Sequence, residues 1–96
     1  MEKIVRIMQA QPLQERNYTD RNGQQQVFAS RGFVLSDGID TFYAEAVGDY
    51  ARSLPPDFNT GANHRLQAQL SMREYRDKEG GFRYATEIRI VKIVQL

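Results

Sequence analysis

Apolar and polar residues alternate with a period of two along most of the chain, and the alternating runs are rich in β-branched and aromatic side chains, the pattern of half-buried strands. The first run spans Lys3 to Ala10, with Ile4, Val5, Ile7 and Met8 around Arg6. Pro12 interrupts or bends it, and a polar stretch leads to Asp20-Arg21-Asn22-Gly23. Asn-Gly between extended segments predicts a hairpin, because glycine takes the positive φ of a tight turn. A second strand is expected from about Gln25 to Leu35, ending at Ser36-Asp37-Gly38, and a third from Ile39 to Val47. Asp49 to Leu54 is the one plausible helix, ended by Pro55-Pro56. After a polar loop come two long alternating runs, His64 to Arg76 and Phe82 to Val94, joined by Asp77-Lys78-Glu79-Gly80-Gly81 as a second hairpin.

Five strands with a short helix between the third and fourth follow the order of an OB-fold, a Greek-key barrel that commonly binds oligonucleotides. The expectation is therefore all-β, one domain over residues 1–96. An SH3-like barrel is the rival, but it has no use for so long a hairpin as 64–94.

Alternation also sorts the faces. Leu66, Ala68, Leu70 and Met72 share one side of the fourth strand and read as core. Arg65, Gln67, Gln69, Ser71, Arg73 and Tyr75 share the other, which suits a polar, flat ligand. Phe28 faces outward in one reading of the second strand. On the third, Phe42, Ala44 and Ala46 read as buried and Tyr43 and Glu45 as exposed. Single exposed aromatics are ordinary. Several beside arginines on neighbouring strands suit nucleobase stacking with phosphate pairing, or equally a dimer interface.

Composition narrows the classes. Without cysteine there is no disulfide framework, thiol nucleophile or cysteine zinc site, and one histidine leaves no histidine metal cluster. No apolar run approaches a membrane span, and the charged N-terminus is no signal peptide. The formal net charge of +1 is unevenly spread: +2 over residues 1–35, −4 over 36–58 and +3 over 59–96. Ten of the 13 basic residues are arginine, which favours planar, phosphate-pairing contacts. His64 with Asp57 or Glu45, and the pair Asp37 and Asp40, are the best enzymatic materials available. A lone histidine at a strand start reads as a surface residue and the aspartates as turn chemistry. No phosphate loop or nucleophile elbow is present, so no catalysis, metal or cofactor is expected.

Arg73-Glu74-Tyr75-Arg76-Asp77-Lys78-Glu79-Gly80-Gly81-Phe82-Arg83-Tyr84-Ala85-Thr86-Glu87-Ile88 resembles the end of the OB domain of the bacterial single-stranded DNA-binding protein family. That family reads arginine, any, tryptophan, any, aspartate-lysine, a glycine turn, then arginine-tyrosine-any-threonine-glutamate. Met1 to Pro12, Arg16 with Tyr18 and Asn22-Gly23, and Gly48 to Leu54 resemble its earlier strand, hairpin and helix, in the same order. The resemblance implies single-stranded DNA as partner, bound with little sequence preference. It places Tyr75 at a stacking tryptophan's position, with Arg73 and Arg16 on basic positions and Phe42 or Tyr43 near a second stacking position. Tyr84 and Glu87 match as fold determinants.

The chain departs from that family in having no tryptophan and in its acidic middle third, and the family's linker and acidic tip for recruiting replication proteins are expected to be missing after the last strand. In this it is similar to PriB-type primosomal proteins or accessory proteins of mobile elements. The expected site comprises Tyr75, Phe28, Phe42 and Tyr43 as stackers and Arg73, Arg16, Arg6, Lys78 and Arg83 on phosphates. A cytoplasmic homodimer or homotetramer away from membranes is expected. Two other readings stay open: a protein-assembly domain on the same barrel, and a binder of single-stranded RNA.

Overall fold

The computed structural model describes residues 1–96 and contains six strands and one short helix. In chain order these are β1 (Glu2–Ala10), β2 (Gln14–Thr19), β3 (Gln25–Ser36), β4 (Thr41–Val47), α1 (Gly48–Ser53), β5 (Asn63–Arg76) and β6 (Phe82–Gln95). The sheet runs β1-β5-β6-β4-β3-β2, and β1 also pairs with β3, so five strands close on themselves in a barrel-like all-β fold. Every neighbouring pair is antiparallel except β4 and β6, which meet in parallel at Glu45 and Arg89.

The strand count corrects the expectation of five. Residues 14–19 are not a polar connection but β2, paired residue for residue with the first half of β3, and α1 therefore follows the fourth strand. Pro12 lacks an N–H and interrupts the ladder that first β1 and then β2 make with β3. Every residue of β2 is exposed, so no alternation marks it in the sequence.

A cluster of 11 residues fills the barrel, including Val5, Ile7, Phe33, Leu35, Leu66, Ile90 and Ile93. They lie on inward positions of the barrel strands, where opposing walls bury them. Helix α1 lies against β3 and β4 with Ala51 buried. Tyr50 pins it to β6, its hydroxyl accepting the Ile93 N–H at 2.8 Å.

Two buried polar side chains belong to this frame. Arg31 is 4 % exposed and donates to the carbonyls of Gln11, Pro55 and Pro56. Its guanidinium also lies 5.4 Å from the Phe33 ring centroid and 5.1 Å from that of Phe58. His64, expected at the surface, is only 2 % exposed. It starts β5 on the inward side, with Nδ1 3.0 Å from the Ala62 carbonyl and its ring 6.2 Å from Phe58.

The three hairpin turns share one device. Asp20, Asp37 and Asp77 each turn a carboxylate oxygen back on two backbone N–H groups of their own loop. Gly23 and Gly80 then supply the left-handed residue, at φ 77° and 80°.

Two hairpins outrun the barrel. The radius of gyration is 15.4 Å, against about 13 Å for a compact chain of this length. Leu70 and Met72, expected in the core, are 55 % and 68 % exposed. Their side of β5 continues past the barrel rim, where no opposing wall remains to bury them. The β2–β3 hairpin projects as well, and there Val27 is exposed together with Phe28.

Candidate nucleic-acid interface

The pairing registers decide which candidates share a face, because directly opposed residues point to the same side of a sheet. Arg16 opposes Phe28, Tyr18 opposes Gln26, and Glu45 opposes Gly32. Arg73 opposes Ala85, and Tyr75 opposes Arg83. With β4 and β6 joined at Glu45 and Arg89, these positions all lie on the outer face of one continuous sheet running from β2 through β3, β4 and β6 to β5.

Six of the nine expected residues thus lie on one face: Tyr75, Arg73, Arg83, Tyr43, Phe28 and Arg16. The three aromatics are each about half exposed: Tyr75 at 45 %, Tyr43 at 49 % and Phe28 at 42 %. Along β5, the Arg73 guanidinium lies 5.9 Å from the Tyr75 ring centroid while its Nε reaches Glu87 Oε1 at 3.0 Å. Arg83 is held by Asp77 at 3.0 Å. That guanidinium, more than its backbone contacts, keeps the Asp77 carboxyl below the usual carboxylate range.

The other three stand apart. Phe42 points inward opposite Leu35 and is half-buried against the core, with Lys3 Nζ 6.0 Å from its ring centroid. Arg6 is on the outer surface of β1, paired with Ser36 and with Asn63 at the start of β5, the end of that strand away from the β5–β6 arm. Lys78 sits in the exposed turn at that arm's tip. Arg6, Arg16 and Lys78 make no ion pair and are free for an anion.

Tyr43 is braced. Its hydroxyl end occupies the space that a side chain at Gly32 would need, and it donates a long hydrogen bond to Glu45 Oε2 at 3.3 Å. Burial raises the phenol pKa, and the neighbouring Glu45 charge raises it further. Beside it a cleft of about 460 Å³ opens where β4 and β6 splay apart, lined by Phe42, Tyr43, Glu45, Ser71, Thr86, Glu87, Ile88 and Arg89.

Sequence reasoning missed Tyr18 and Arg89 as members of this face. Tyr18 borders a shallow apolar hollow with Arg16 and Phe28, and its two-residue spacing from Arg16 was the available signal. Arg89 joins only through the parallel contact of β4 with β6, which no local pattern announces. The reverse of the arm is different in kind: Leu70, Met72, Phe82 and Tyr84 are all exposed there, Tyr84 included, although its motif reads as a fold determinant.

Two of the possible catalytic groups are engaged elsewhere. His64 is buried, and the Asp37 carboxylate is taken by the backbone of its turn and by Lys3 Nζ at 2.8 Å. No group of three or more His, Asp or Glu side chains converges to hold a metal ion, and no helix is long and apolar enough to cross a membrane. Neither a scan of protein-family models nor a comparison with curated proteins finds a match to this chain.

Proposed function

We propose that this domain is an OB-fold that binds single-stranded DNA across the outer face of β2, β3, β4, β6 and β5. The observation that carries the reading is the shared face of Phe28, Tyr43 and Tyr75 with Arg16, Arg73 and Arg83, at strand positions whose register makes them one surface. The strand order supports the fold: with β1 and β2 taken as one strand broken at Pro12, five strands close with a helix between the third and fourth. The resemblance of residues 73–88 to the single-stranded DNA-binding protein family supports the ligand. Aromatic rings stack successive bases without demanding a sequence, and arginines track the phosphates. Lys78 at the arm tip extends the basic track, Arg6 offers a further cation on neighbouring β1, and Phe42 backs the cleft floor. Assembly as a homodimer or homotetramer in the cytoplasm belongs to the same proposal, because so small a core gains from added burial.

Fluorescence anisotropy of labelled oligo-dT at low and moderate salt tests it. Tight binding that weakens with salt, with far weaker binding to duplex, is the expected result. No binding at low salt overturns it. The exposed apolar reverse of the arm favours the second reading, a protein-assembly domain, which predicts oligomers and no DNA affinity.

A further inference from the structure

The cleft between β4 and β6 is chemically unlike the rest of the face. Two carboxylates line it, Glu45 and Glu87, so it is a poor seat for a phosphate. Glu87 is neutralised by Arg73 at 3.0 Å. Glu45 is not: it is half-buried, no cation lies within ion-pair distance, and its carboxylate accepts only the long bond from the Tyr43 hydroxyl. Arg89 opposes it in register yet makes no ion pair with it or with any other acid. An uncompensated carboxylate beside a braced aromatic ring, in a cleft large enough for a base, calls for a ligand with hydrogen-bond donors.

A carboxylate only accepts. It therefore selects a base edge carrying adjacent N–H groups. Guanine alone among the DNA bases offers two side by side, N1–H and the N2 amine, and in a single strand that edge is free. Cytosine and adenine set one amine beside a ring nitrogen that repels the carboxylate. Thymine flanks its single N–H with two carbonyls.

We propose that the β4–β6 cleft is a guanine-selective base pocket, in which Tyr43 stacks the base and Glu45 accepts its N1–H and N2–H. This inference rests on the single-strand reading above and adds a base preference to it. Arg89 on the cleft wall is free to meet the adjoining phosphate.

The test is competition binding with oligo-dT and the same oligomer carrying one central dG or one central deoxyinosine, which keeps N1–H and lacks the N2 amine. The dG oligomer should bind about five-fold tighter or more than oligo-dT, the lower end of what one bidentate base contact discriminates. Deoxyinosine should forfeit most of that gain. In Glu45→Gln the ratio of dT to dG dissociation constants should fall to about one. Equal binding of dG and dT oligomers by the wild type overturns the pocket while the single-strand reading stands. Preference retained in Glu45→Gln overturns the role of Glu45, and failure of every oligomer to bind at low salt overturns both proposals.

Discussion

The hydroxyl end of Tyr43 sits where a side chain on Gly32 would have to be, so the glycine on β3 sets the pose of the aromatic on β4. The atoms that a methyl would meet are the far ends of two side chains, those of half-exposed Tyr43 and of Gln11, which can swing away. Gly32→Ala should thus change stability by less than about 1 kcal/mol, since alanine's backbone advantage in a strand offsets the displacement. Binding of oligo-dT should nevertheless weaken several-fold as Tyr43 loses its brace. Thermal melts with anisotropy titrations on one preparation check it, and unchanged affinity would show that the pose of Tyr43 is immaterial.

Tyr75→Ala should cost about 1–3 kcal/mol of single-strand binding if the ring stacks a base. Its position on the outer face of the arm, outside the core cluster, means the melting temperature should barely move. Tyr75→Phe should retain most of the affinity, because the π-face is kept. Loss of binding in the phenylalanine variant would point to the hydroxyl instead.

Arg31 carries a different kind of prediction. Its removal takes the donor from three part-buried carbonyls, those of Gln11, Pro55 and Pro56. A hydrogen bond from a charged donor contributes about 1.5–3 kcal/mol, and Arg31 makes three of them from a buried position, so Arg31→Ala should lower the melting temperature by roughly 10 °C or more in a domain this small. Arg31→Lys should rescue little, because an ammonium lacks the planar fork that reaches all three. Near-wild-type melting of either variant would contradict this account of the 55–58 loop.

The turn aspartates set a pH dependence. The backbone N–H of Asp40 first, then the Lys3 ammonium and the Ile39 N–H, hold the Asp37 carboxyl well below the usual carboxylate range. A depressed folded-state pKa contributes stability above the unfolded value, about 3.9, and loses it as pH falls through the folded one. The melting-temperature gap between wild type and Asp37→Asn should therefore be full at neutral pH and close progressively below about pH 4. A gap that persists unchanged in strong acid would assign the effect to the turn's shape and not to its charge.

Much of this molecule is written locally. Asn22-Gly23, Asp37-Gly38 and Gly80-Gly81 mark the three hairpin turns, because the left-handed glycines and the aspartate-to-backbone bonds they need span only a few residues. Alternation likewise places Leu66, Ala68, Ala44 and Ala46 inward and Tyr43, Arg73 and Tyr75 outward. What alternation does not carry is whether an inward position meets another wall. Leu70 and Met72 follow the same period as Leu66 and yet stand in the open, because the β5–β6 arm runs beyond the closure of the barrel. β2 hides for the opposite reason: with both faces exposed it has no period to read. Arg31 and His64 look like surface residues by type, and they are buried because the loop after the helix folds over them with carbonyls and the Phe58 ring. Glu45 and Arg89, far apart in the chain, become neighbours only where β4 and β6 close the sheet in parallel. Period and turn chemistry are properties of short segments, whereas burial, closure and the juxtaposition that shapes the cleft arise from contacts between segments.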